Sequence, residues 1–131
     1  MSRTAAPIGT LAGVSAAFVY VASFDPNQPG HYPACPLLAA TGVYCPGCGG
    51  LRSAYAFAHG DLPSALGANV LAVVLFIGFA AFWTHWFLTR ALARPYALPV
   101  RLTAWHAWVG GALVVAYSVV RNTPLGSGLV P

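Results

Sequence analysis

Between residues 69 and 88 the chain reads NVLAVVLFIGFAAFWTHWFL, twenty residues without a charge in which Thr84 and His85 are the polar breaks after Asn69. A helix rises 1.5 Å per residue, so a run of this length reaches across the ~30 Å hydrocarbon core of a bilayer. Two further stretches repeat the pattern. Residues 7–24, PIGTLAGVSAAFVYVASF, carry no charge, and residues 102–120 are apolar with Trp105 and Trp108 near their start. Composition points the same way: 6% of the residues are charged and 58% hydrophobic, against roughly 25% charged in a soluble domain. So few charges cannot solvate a globule with so much apolar surface, and a mean hydropathy of +0.70 makes lipid the missing solvent. The expected fold is all-α and integral to the membrane, one domain over residues 1–131 with spans at about 7–24, 69–88 and 102–120.

The first run has an early arginine and a short apolar core, as a signal peptide does. No A-x-A cleavage site precedes polar sequence, and further spans follow, so the reading is a retained helix. Gly9 and Gly13 form a G-x-x-x-G pair that lets a second helix approach closely, ordinary small residues being the plainer account. Trp83 and Trp86 flank His85 where an interfacial aromatic belt belongs. His85 and His106 read as amphipathic residues reaching for headgroups rather than as ligands. Asn69 reads as the N-cap of the second span.

All six basic residues are arginines, at 3, 52, 90, 94, 101 and 121, and they form no patch with interleaved aromatics, which excludes nucleic-acid binding. Three of them, Arg90, Arg94 and Arg101, fall in the short loop after the second span, beside Pro95 and Pro99. Positive charge places that loop in the cytoplasm, and with it the N-terminus; the cysteine loop, residues 25–68, is then external. Arg121 runs against this orientation. No Ser/His/Asp constellation, phosphate loop or pair of carboxylates is present, which argues against hydrolase chemistry. No charged residue lies in mid-span to support transport.

The long loop holds the chemistry. It opens with Asp25-Pro26, which ends the first helix, and it contains Cys35-Pro36 and the hairpin Cys45-Pro46-Gly47-Cys48-Gly49. A short amphipathic helix is expected over residues 51–59, stopped by Gly60-Asp61-Leu62-Pro63. Two residues between the thiols let both sulfurs face one point, and the glycines permit the positive φ of a tight turn. Three readings stand together. Cys35, Cys45 and Cys48 could be metal ligands, with His31 or His59 as a fourth and Asp61 a poorer candidate, for zinc or iron. Cys45 and Cys48 could perform thiol–disulfide exchange, with Arg52 stabilising a thiolate and Cys35 resolving the mixed disulfide. The hairpin could also be purely structural, a disulfide or a cluster of small residues that pins the loop to the bilayer.

The run Cys35-Pro36, Thr41-Gly42, Cys45-Pro46-Gly47-Cys48-Gly49, Arg52, Gly60-Asp61 and Asn69 resembles the DUF2752 family of small bacterial membrane proteins. That family's pattern is approximately C-P, T-G, C-P-G-C-G-x-T-R, G-D and N-P before a hydrophobic span, and the resemblance covers roughly Cys35 to Leu88. Leu51 stands where the family has threonine, which removes a hydroxyl from the motif, and Val70 stands where it has proline. The resemblance implies a bacterial plasma-membrane protein; the family has no agreed biochemical function, so it adds topology and motif rather than mechanism. The reading favoured by the residues is a non-enzymatic module, an accessory subunit or homo-oligomer, whose hairpin binds a metal or forms a disulfide. The alternative is a membrane thiol oxidoreductase.

Overall fold

The computed structural model describes residues 3–28, 30–94 and 103–129. Every regular element among them is helical: α1 (Ala5–Ser23), α2 (Pro36–Thr41), α3 (Gly50–Ala58), α4 (Leu62–Ala91), α5 (Ala104–Arg121) and a closing 3₁₀ turn (Pro124–Leu129). Helices α1 and α4 are long and apolar enough to cross a membrane. Helix α5 occupies the third expected span. Its two tryptophans, His106 and the Gly110-Gly111 pair dilute its hydropathy, and it is not one of the two helices that meet that measure. Of the arginine-rich loop, Arg90 closes α4 and Arg94 follows it, while Pro95, Pro99 and Arg101 lie outside the described residues.

Helix α4 is longer than the expected span because two caps act in series. Asp61 accepts the Ser64 N–H at 3.1 Å and starts a helix at Leu62-Pro63, where proline costs nothing at the first turn. Asn69 then interrupts it with extended φ/ψ of −164° and 100°. Its side chain accepts the Ala72 N–H at 3.0 Å, three residues on, so it does cap the membrane-length segment as expected. The break also frees the carbonyls of Ala68 and Asn69 for partners elsewhere. Helix α5 is capped at its start by a contact from His106, whose Nδ1 accepts the Thr103 N–H at 3.2 Å. His106 is therefore a capping residue, which the headgroup reading overlooked.

Helices α1, α3 and α4 pack against one another. Phe18 of α1, Phe57 of α3 and Phe76 of α4 meet in one aromatic cluster, with centroids 5.1–6.4 Å apart. At the opposite end of α1 the Trp83 indole N–H donates to the Pro7 carbonyl at 2.8 Å, so α1 and α4 run antiparallel. That carbonyl lies in the first turn of α1, and the bond fixes the two helices against sliding. Trp83→Phe keeps the ring and removes the donor, and should cost about 1 kcal/mol, read as a lower melting temperature in detergent.

The inside of this molecule is small or polar, and the outside is apolar. Ser53, Asn69 and Arg121 are buried together with Cys48, Ala54, Ala65 and Val73, while Val74, Leu75, Ile77, Trp105, Trp108 and Leu113 are exposed. A chain folded in water would place these groups the other way round.

Candidate metal centre

The three cysteines are brought together by two turns. Cys35 is the N-cap of α2, whose first residue, Pro36, presets the helical φ. Helix α2 ends after one and a half turns at Gly42, which takes the left-handed φ of 70° and donates to the Leu38 carbonyl at 2.9 Å. Thr41 accepts the Val43 N–H at 3.2 Å, so the Thr41-Gly42 pair is the device that turns the chain towards Cys45. The Cys45-Pro46-Gly47-Cys48 turn follows, closed by Cys48 N–H to Cys45 O at 3.1 Å, and the Cys45 N–H points at the Cys48 Sγ at 3.3 Å. Gly49, at φ 79°, is the N-cap of α3. The positive φ expected within the hairpin falls at Gly49 and not at Gly47.

The Sγ atoms of Cys45 and Cys48 are 3.1 Å apart, those of Cys35 and Cys45 3.6 Å, and all three lie within 4.8 Å of one another. All three cysteines are free. A disulfide bond is about 2.05 Å long, so the hairpin is not closed by one, and the structural-disulfide expectation is corrected. The oxidoreductase reading gains no support from this geometry. Arg52 is exposed on the rim of a cleft of about 760 Å³ whose walls include all three cysteines, Tyr32 and Tyr44.

Neither histidine named from the sequence joins the sulfur group. His31 stacks on Phe24 at 4.1 Å and lines a separate depression with Ser23, Asp25 and Tyr55. His59 is tied by Nδ1 to the Tyr55 carbonyl at 2.8 Å. Asp61 is engaged as the cap of α4, and accepting from Ser64 holds its carboxyl below the ordinary carboxylate range.

The sulfurs differ in acidity. N–H donation from Leu38 at the start of α2, aided by the Cys48 and Cys45 thiols, lowers the Cys35 pKa to about 7. Burial, with the neighbouring sulfurs, pushes Cys48 up to about 12. Cys35 is thus a thiolate well before Cys48. With iodoacetamide at pH 7 Cys35 should be alkylated ahead of Cys48, its rate rising to half its plateau near that pH. Equal rates for these two, read by mass spectrometry of the peptides, would contradict this ordering.

Behind the hairpin stands a network that the sequence reading left out. Arg121, 1% exposed at the end of α5, donates from Nη1 to the carbonyls of Cys48 (2.9 Å) and Cys45 (3.2 Å). Its Nη2 reaches Ala68 O, freed by the α4 break, at 3.4 Å, and its Nε reaches Leu129 O at 2.9 Å. Asn69 donates to Pro46 O (2.9 Å) and Cys48 O (3.0 Å) and accepts from the Tyr117 hydroxyl at 3.2 Å. Ser53 of α3 donates to Asn69 O. Asn122 pairs with Tyr44 in both directions, accepting its N–H at 2.8 Å and donating to its carbonyl at 2.9 Å. Gly126 packs where a Cβ would fall on the Val120 carbonyl, which lets the 3₁₀ turn fold back and bring Leu129 O to Arg121. In the sequence the signal was Arg121-Asn122 at the foot of an apolar run, in a position the charge-orientation rule disfavours.

Fold and site together define a class: a helical chain with two membrane-length helices and a loop-borne cluster of three cysteines, braced from within by a buried asparagine and arginine. Residues 35–83 match the model of the family described as a protein of unknown function, DUF2752. The match bears out the resemblance read from the cysteine motif and covers α2, the hairpin, α3 and α4 as far as Trp83; Arg121 and Asn122 lie beyond it. Neither a curated protein nor a solved structure matches the chain.

Proposed function

We propose that this chain is a non-enzymatic membrane module whose loop carries a metal–thiolate centre on Cys35, Cys45 and Cys48. The observation that carries the reading is the convergence of three sulfurs within 4.8 Å. Thiolates bound to zinc at about 2.3 Å stand about 3.8 Å apart in a tetrahedron, so closing on an ion needs shifts of less than about 1 Å. An all-sulfur donor set suits zinc or iron, and the three cysteines line the cleft from which a fourth ligand would come.

The surroundings fit a bacterial plasma-membrane protein in which α1, α4 and α5 all span. Arg90 in the last turn of α4 and Arg94 after it support a cytoplasmic loop there, with the N-terminus on the same side and the cysteine loop outside. The exposed Trp105, Trp108 and Leu113 of α5 support contact with lipid, a second copy or a larger complex in which this chain is an accessory subunit.

The test is the metal content of the detergent-purified protein together with its free-thiol count. About one zinc or iron per chain is expected, lost in Cys45→Ser and Cys48→Ser and released by chelator together with the thiols. Metal-free protein whose thiols react equally with and without chelator would sink the reading.

A further inference from the structure

We infer that the Arg121 guanidinium is the buried counter-charge of the three-sulfur site, and that it thereby selects a divalent thiophilic cation. The inference rests on the metal reading above. A buried cation is costly to desolvate and is ordinarily paired with a carboxylate. The chain has two acidic residues, and Asp25 bonds Asn27 while Asp61 bonds Ser64. Each described hydrogen bond of Arg121 goes to a backbone carbonyl. The Tyr117 and Tyr44 rings, 5.2 and 6.0 Å from its guanidinium carbon, add cation–π attraction but no negative charge. Among the described residues the guanidinium is satisfied in hydrogen bonds and has no carboxylate among its hydrogen-bond partners.

Two of its carbonyl acceptors belong to Cys45 and Cys48, which line the cleft, while Arg121 does not. Among the described acidic and thiol residues, Cys45 and Cys48 are the ones Arg121 bonds through their backbone, so negative charge formed on their sulfurs is the charge tied to it. Three thiols and a divalent ion give M²⁺ + 3 RSH → [M(SR)₃]⁻ + 3 H⁺, a centre of charge −1 that one guanidinium balances. A monovalent ion on three thiolates would carry −2. Arsenite condenses as As(OH)₃ + 3 RSH → As(SR)₃ + 3 H₂O, a neutral product that gains nothing from a cation.

The comparison of cadmium(II) and arsenite therefore reads the charge directly, because both need the same three sulfurs. Full-length protein in detergent is titrated with each, as wild type, Arg121→Gln, Arg121→Lys and Asn122→Ala. Arg121→Gln keeps N–H donors but no charge, and should lose about tenfold or more in cadmium affinity relative to arsenite, the usual scale for an outer-shell partner of a metal site. Arg121→Lys should keep the wild-type ratio. Asn122→Ala loosens the hairpin at Tyr44 without touching charge, and should weaken both ligands together. If Arg121→Gln lowers both affinities by the same factor, or Arg121→Lys loses the ratio as the glutamine variant does, Arg121 is a brace only and the inference falls. Should the glutamine variant not fold, cobalt(II) bound to wild type decides: its sulfur-to-metal absorption must count three thiolates, since two would make the centre neutral and overturn the charge argument. A wild type that binds neither cadmium nor arsenite would instead sink the metal reading itself.

Discussion

Arg121→Met should destabilise the protein by about 3–5 kcal/mol, the scale at which a buried charged hydrogen-bonding group is lost. Methionine fills much of the same volume, so the loss measures polar contacts more than a cavity. Two carbonyls, those of Ala68 and Leu129, would each lose the Arg121 donor inside the protein, while Cys48 O keeps Asn69 and Cys45 O keeps the Cys48 N–H. The effect should be concentrated at the hairpin: faster alkylation of Cys45 and Cys48, with the helical signal of α1 and α4 retained. Lysine should recover only part of the loss, since one ammonium cannot reach acceptors arrayed around a planar fork. A methionine variant that melts like the wild type, with unchanged thiol reactivity, would remove Arg121 from the account of the hairpin.

The second large effect is expected at Asn69, also 1% exposed. Its amide is fully used: two N–H bonds go to Pro46 and Cys48, and the oxygen accepts from Ala72 and Tyr117. Asn69→Ala removes the cap of the long helical segment and the brace of the turn together, and should cost about 2–4 kcal/mol. The extended φ/ψ at this position is held by that cap and the amide bonds to the hairpin, with Arg121 and Ser53 on the freed carbonyls, so without the side chain α4 should straighten through the break. Ala68 O would then return to the helix and be lost to Arg121. Because both side chains meet at Cys48 O, the double variant should fall short of the sum of the single losses. Strict additivity in a thermal-melt cycle would show that the two braces act separately.

Much was legible in the sequence because it is local. Charge-free runs of helix length mark α1 and α4 whatever they pack against, since the cost of leaving their apolar side chains in water, or their backbone unbonded in lipid, is a property of the run itself. The Cys-x-x-Cys spacing brings two sulfurs together by turn geometry alone, and Asn69 caps the following segment as its position suggested. The ends were less legible. Helix α4 starts seven residues before Asn69 because Asp61 and Pro63 supply a second start signal that a hydropathy window ignores.

What only the tertiary structure decided concerns pairs distant in the chain. That Cys35 meets the hairpin depends on α2 turning at Gly42, and that His31 and His59 stand apart depends on the ring of Phe24 and the carbonyl of Tyr55. Arg121 lies 76 residues from Cys45, and its meaning reverses on folding. In the sequence it is a charge at the end of an apolar run, a topology signal. In the fold it is the buried donor that holds the cysteine turn from behind. Hydropathy and spacing are properties of neighbouring residues and survive without a fold. The hydrogen bonds from the foot of α5 to the distant cysteine turn exist only in the fold, and the one to Ala68 O only once α4 has broken at Asn69.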